Sequence, residues 1–195
     1  MESQTIPLHS PLELTLELTD EQFFQLCTDN RDLRFERTAS GGLIIMPPTG
    51  SETGRRNSDL NFQLKAWSRQ NNLGVVFDSS TGFKLPDGSD ISPDAAWVRR
   101  DRWDALTPEQ KEKFAPICPD FVVELRSTTD SLEKLRAKMK VYVKNGARLG
   151  WLLDRKNRKV EISRQGSDVE ILDSPATLSG EDVLPGFVLD LSDIL

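Results

Sequence analysis

Phe121-Val122-Val123-Glu124-Leu125-Arg126 is the stretch on which the fold turns. Its first five residues are apolar but for one glutamate, the pattern of a strand buried on both faces at the centre of a sheet. Side chains alternate along a strand, so Phe121, Val123 and Leu125 face one way and Val122, Glu124 and Arg126 the other. Arg126 therefore stands beside Glu124. An acid in so apolar a strand is costly unless it is paired or put to use.

The residues that follow predict a helix from about Asp130 to Asn145, closed by Gly146 as a left-handed cap. At about 100° per residue, Leu132, Leu135, Met139 and Val143 form one apolar stripe. Lys138 lies roughly 90° from its centre, at the border, with Tyr142 one turn further on; Lys134, at roughly 130°, points more to solvent. A lysine at the border either snorkels to water or lays its stem on the core and brings its amine to the sheet. On the N-terminal side, Ile91 to Val98 predicts a strand containing Pro93-Asp94. Proline cannot donate to a ladder, so the strand is at an edge or bulged there, and a bulge would aim Asp94. The plainer role for Asp94 is that of a turn or cap residue.

Asp94 and Glu124 offer two hard oxygens. With a main-chain carbonyl and waters they make a magnesium arrangement, which would generate a nucleophile from water and neutralise charge developing on a phosphate. Arg126 stays protonated and cannot act as a base; it pairs with Glu124 or holds a phosphate.

The rest of the chain excludes several alternatives. The 195 residues suit one domain with a real core. The single histidine, His9, leaves Ser-His-Asp chemistry and histidine-rich zinc sites without their residues. Cys27 and Cys118 form no CxxC pair, which fits a reducing cytoplasm. No apolar run reaches the roughly 20 residues of a membrane span, and Met1 to Ser10 lack the basic start and apolar core of a secretion signal. A net charge of -6 argues against indiscriminate DNA binding. The segment from Arg126 to Arg148 is locally basic, with Lys134, Arg136, Lys138, Lys140 and Lys144 set against Asp130 and Glu133.

Other elements follow from period and punctuation. Leu12, Leu14, Leu16 and Leu18 alternate as in a strand. Thr19 with Gln22 forms a capping box for a short helix burying Phe23, Leu26 and Cys27. Asp32 to Thr38 and Leu43 to Met46 predict two strands around Gly41-Gly42, and Pro47 to Gly50 a break. Ser51 caps a helix to about Asn72 with Leu60, Leu64 and Trp67 inward. Gly74 to Phe77 and Gly82 to Leu85 predict strands, Thr107-Pro108 a helix start, and Leu149 to Leu153, Lys159 to Ser163 and Val169 to Leu172 further strands.

Pro93-Asp94, Glu124-Leu125-Arg126-Ser127, Asp130, Lys138, Tyr142, Gly146 and Trp151-Leu152-Leu153-Asp154 occur in an order that resembles the Uma family of restriction endonucleases, within the PD-(D/E)xK nuclease superfamily. Phe35-Glu36, Met46 to Gly50 and Leu184 to Phe187 extend the resemblance from about Leu18 onward. It implies an α/β (α+β) fold: a restriction-endonuclease-like mixed β-sheet flanked by helices, with additional hairpin strands. Residues 18–195 would be that single domain and 1–17 an N-terminal extension. It implies an Mg²⁺-dependent endonuclease hydrolysing DNA phosphodiester bonds, with Mn²⁺ as substitute and RNA left open. Asp94 and Glu124 would be metal ligands, with the Leu125 carbonyl a third. Lys138 would be the catalytic lysine, moved from strand to helix, because Arg126 departs from the Glu-x-Lys pattern. Glu36 would be an outer metal or water ligand, with Arg126 and Tyr142 accessory. The alternative is a catalytically inactive nuclease-like fold that binds nucleic acid or protein. A homodimer pairing through the strand edges after Lys159 is a further expectation.

Overall fold

Of the alternating leucines, Leu12 and Leu14 fall in β1 (Leu12–Thr15) and Leu16 and Leu18 lie beyond its end, and Thr19 caps α1 (Asp20–Asp29) with the expected reciprocal Gln22 contacts. This is a computed structural model that describes residues 12–46 and 48–195; His9 and Pro47 lie outside them. The hairpin β2 (Arg34–Arg37) and β3 (Gly42–Met46) leads to the long α2 (Ser51–Asn71). Gly50, not Ser51, holds the cap position of α2, and no side chain caps it. Then come β4 (Gly74–Asp78), β5 (Phe83–Lys84), β6 (Asp90–Ile91) and β7 (Ala95–Arg99). Two short helices follow, α3 (Arg100–Asp104) and α4 (Pro108–Glu112), the second with the Thr107–Gln110 capping box and proline in its first turn. The chain continues through β8 (Phe121–Leu125), α5 (Leu132–Lys144), β9 (Leu149–Asp154), β10 (Lys159–Arg164) and β11 (Glu170–Asp173). It ends in a small pair, β12 (Thr177–Ser179) and β13 (Val188–Asp190).

The strands form a six-stranded sheet in the order β11-β10-β9-β8-β7-β4 and a five-stranded sheet in the order β1-β3-β2-β6-β5. The larger sheet is mixed: β8 and β9 are parallel and its other pairs antiparallel. A parallel pair needs a crossover, and α5 supplies it. The expected single strand from Ile91 to Val98 is two strands in different sheets. Ser92 gives its N–H to Glu36 (3.0 Å), Pro93 has none to give, and Asp94 donates to Val123 O (3.0 Å). Those three residues carry the chain from the smaller sheet to the larger.

Parity along β8 is as expected. Phe121, Val123 and Leu125 pack with Trp151, Leu153, the α2 residues Leu60, Leu64 and Trp67, and the C-terminal Leu184, Phe187 and Ile194. Val122 lies in the opposite layer with Ala96, Leu152, Met139 and Tyr142. Gly150 leaves room for the end of the Met139 side chain, which a Cβ there would meet, between β9 and α5. Glu124 thus enters the layer between β8 and α5. Among the described residues no helix is long and apolar enough to cross a membrane.

Candidate active site

The helical angle of Lys138 decides where its amine goes. The stem runs along α5 beside Tyr142, and Nζ lies 2.7 Å from Glu36 Oε1, 2.9 Å from Glu124 Oε1 and 3.0 Å from the Ser92 carbonyl. Lys138 therefore reaches the sheet instead of snorkelling outward, and only 16% of its side chain is exposed. Tyr142 donates its hydroxyl to Glu124 Oε1 at 2.9 Å. Glu36, from β2, and Glu124, from β8, are both buried. One ammonium thus joins two sheets and a helix.

Asp94 sits beside this cluster at the junction of the two sheets. Its Oδ2 accepts the Leu125 N–H at 2.8 Å, taking the place of a ladder carbonyl where β7 has not yet begun. Its Oδ1 accepts from Asn57 Nδ2 at 3.1 Å. Asn61 Nδ2 donates to the main-chain oxygens of Asp94 (3.1 Å) and Asn57 (3.0 Å). Sequence reasoning did not single out these asparagines. The signal was present: Asn57 continues the inward stripe of Leu60, Leu64 and Trp67, so a polar residue was bound to be buried there.

Arg126 goes elsewhere. It forms a two-pronged contact through Nη1 to Asp154 (3.0 and 2.9 Å), and its Nε donates to the Asp130 carbonyl. The expectation that it pairs with Glu124 is therefore corrected. It lies past the end of β8, where the chain turns towards α5, and Asp154 at the end of neighbouring β9 supplies the nearest carboxylate. Asp94, Glu124, Lys138, Glu36 and Tyr142 are brought together with the Leu125 backbone; Arg126 is not.

Burial pushes the Glu124 carboxyl up to about 7, with the Asp94 and Glu36 carboxylates adding to the rise and Lys138 opposing it. Burial alone would lower the Lys138 ammonium, but Glu124 and Glu36 override that and hold it above its ordinary value. Burial, and then the charge of Glu124, raise Tyr142 in the same way, so it stays a donor.

Two carboxylates, Glu36 and Glu124, thus contact one ammonium, with the Asp94 carboxylate acting on Glu124 from beside them; with all three ionised two negative charges are left over. That is the demand a divalent cation meets. Among the described residues no three His, Cys, Asp or Glu side chains are grouped as a ready-made cage. The donor set fits a hard ion held by two carboxylates, a main-chain carbonyl and waters, as Mg²⁺ is commonly bound. Asp94 and Glu124, with the Leu125 carbonyl, are the groups able to hold one.

A model of the Uma2 family, described as "Putative restriction endonuclease", matches residues 20–192. Among solved structures, one described as a putative nuclease belonging to DUF820 from Anabaena variabilis ATCC 29413 superposes with a TM-score of 0.72. The two chains are 19% identical, and the match covers 91% of this chain and 97% of that one. At that identity the likeness is one of fold. No curated protein matches the chain.

Proposed function

This chain belongs to the Uma2 family of putative restriction endonucleases, and from that premise we propose that it is an Mg²⁺-dependent endonuclease hydrolysing DNA phosphodiester bonds. The observation that carries the reading is the meeting of Lys138 Nζ with Glu124 and Glu36 beside an Asp94 anchored on the Leu125 N–H. DNA is the substrate that the family description implies.

Asp94, Glu124 and the Leu125 carbonyl would hold the ion, which when bound supplies a water nucleophile near neutral pH and offsets charge on the phosphate. Lys138, kept as an ammonium, is a donor and not a base. Its three hydrogens are held by Glu36, Glu124 and the Ser92 carbonyl, so it acts through its charge, which would offset the negative charge that develops as the phosphorus is attacked. Glu36 holds Lys138 in place and is itself fixed by the Ser92 N–H. Tyr142 fixes the Glu124 rotamer through Oε1. Arg126 braces the end of β8 through Asp154.

Plasmid nicking in Mg²⁺ or Mn²⁺ tests this, comparing the native protein with Asp94→Ala, Glu124→Ala and Lys138→Ala. Loss in all three variants is expected, and equal activity in the four proteins refutes the assignment. Calorimetric titration with Mn²⁺ separates it from an inactive binding module: a one-site signal is expected, abolished in Asp94→Ala. A homodimer would pair along β11, the outer strand of the larger sheet, whose Ile171 is exposed; sedimentation reads that directly. The reducing cytoplasm suits the two free cysteines.

A further inference from the structure

The turn between β9 and β10 reads Asp154-Arg155-Lys156-Asn157-Arg158-Lys159, four cations in the five residues 155–159. It stands at the end of the larger sheet that carries the candidate site. β8 and β9 run parallel with Leu125 opposite Leu153, and the Arg126 N–H donates to the Leu153 carbonyl at 3.0 Å. Leu125 is the residue whose N–H anchors Asp94. Arg155 and Lys156 follow Leu153 by two and three residues. At about 3.3 Å per residue, they are set no more than about 7–10 Å beyond the level of Leu125, on the neighbouring strand.

The turn is held in shape from within. Buried Asp154 accepts the Asn157 side-chain amide at 2.7 Å and the Asn157 N–H at 3.4 Å, and Arg126 neutralises the same carboxylate. Lys156, Arg158 and Lys159 are exposed and Arg155 is half-buried. None of the four forms an ion pair among the described residues, whereas Arg126, Arg136, Arg148 and Arg164 each have a carboxylate. Asp173, opposite Lys159 in the ladder, takes a hydrogen bond from Ser174 instead. Arg158 also departs from ordinary turn chemistry. Its φ is 52°, in the left-handed region that favours glycine or asparagine and strains a bulky side chain. Its Nη1 makes only a long contact, 3.4 Å, to the Leu195 main-chain oxygen. A cation thus occupies the position of the turn that local conformation would give to glycine.

We propose that this turn is a backbone grip for duplex DNA: Arg155, Lys156, Arg158 and Lys159 hold phosphate oxygens a few steps along the strand from the phosphate at Asp94 and Glu124. The proposal rests on the nuclease reading for its partner. Successive phosphates of one strand are about 3.4 Å apart along the duplex axis. An offset of about 7–10 Å therefore corresponds to about two or three steps. Phosphate contacts fix register and orientation without reading sequence. Unpaired, exposed cations suit that task, because no protein carboxylate has to be displaced before a phosphate binds, and the counterions released supply the affinity. A chain with a net charge of -6 is repelled by DNA over much of its surface. A grip beside the site favours the docking that brings a phosphate to it.

The test is fluorescence anisotropy with a labelled duplex, in Ca²⁺ to withhold cleavage, over a series of salt concentrations. The double variant Arg155→Gln, Lys156→Gln should make the slope of log affinity against log salt shallower by about 2, at about 0.9 per phosphate contact. Its affinity at low salt should fall by about tenfold or more. Lys65→Gln with Arg69→Gln removes the same charge from the exposed face of α2 and should leave the slope as it is. Arg158→Gly should raise the melting temperature by relieving the backbone, yet make the slope shallower by about 1; a purely structural arginine would move only the first. Plasmid nicking in Mg²⁺ by the turn variants should show a raised KM with kcat retained. A slope unchanged in the turn variants, or lowered equally by the α2 pair, overturns the grip, while nicking by the native protein still supports the nuclease. Absence of nicking with the slope differences intact refutes the nuclease and keeps the grip. Absence of any duplex binding overturns the grip as well.

Discussion

Glu124→Gln should make the metal-free protein more stable, by an amount that depends on pH. The buried carboxyl is raised from 4.5 to about 7, chiefly by burial. A raised carboxyl disfavours its ionised form in the fold. Its contribution to stability is therefore complete below 4.5, declines as pH climbs through the window to about 7, and is gone above it. At about 1.4 kcal/mol per pH unit, that window corresponds to about 3 kcal/mol. Glutamine mimics the protonated acid and keeps an oxygen for Tyr142 and Lys138. Urea unfolding in EDTA should give the native protein and the variant equal stability near pH 4.5, with the variant ahead by about 3 kcal/mol at pH 8. Mg²⁺ should then reverse the order, because it binds the folded native protein and not the variant, adding about 4.1 kcal/mol at a thousand times Kd. A variant less stable by the same amount at pH 5 and pH 8 would refute the reasoning, since it would mean that Lys138 fully compensates the charge.

Further outcomes follow from the other contacts. Lys138→Met should abolish nicking and destabilise by about 3–5 kcal/mol, because Glu36 and Glu124 are left as a buried pair of like charges; chemical denaturation measures it. Arg126→Lys should lose the two-pronged contact with Asp154 and lower the melting temperature, yet nick plasmid within a few-fold of the native rate per folded molecule. The Cys118 thiol, pushed up to about 12 by burial, and the Cys27 thiol, pushed up to about 11 by the same cause, should resist alkylation at pH 8 until the protein is unfolded; mass spectrometry counts the adducts. Gly74→Ala should cost about 1–3 kcal/mol, because its Cβ would run into the Trp97 indole in the core.

What could be read without coordinates was what has a period. The alternation in β8 placed Glu124 on the face of α5, and the 100° step of the helix placed Lys138 at the border from which it reaches Glu124. Local chemistry was also legible, as in the capping box at Thr19 and the helix start at Thr107-Pro108. Choices between sheets were not. Nothing local in Ile91 to Val98 says that Ile91 pairs with Phe83 while Ala95 pairs with Val123. Arg126 was beyond reach for a related reason: its partner Asp154 lies 28 residues on, and strand parity makes Glu124 look nearer. Asn57 was readable in principle as a polar break in an apolar stripe, but its meaning depends on Asp94 arriving from another element.

Lys138 bonds to groups on both sides of a seam. Glu36 and Ser92 belong to the smaller sheet or its exit, whereas Glu124, Tyr142 and Lys138 itself belong to the larger sheet and its crossover helix. The cluster therefore behaves as a clasp. If the smaller sheet breathes open by itself, two of the lysine's three acceptors leave and the site comes apart while the larger sheet stays folded. Turned around, an ion that tightens Glu124 and Asp94 should slow amide hydrogen exchange at Phe35 to Arg37, far along the chain from either ligand. Activity would then fall as the local opening of one small sheet rises.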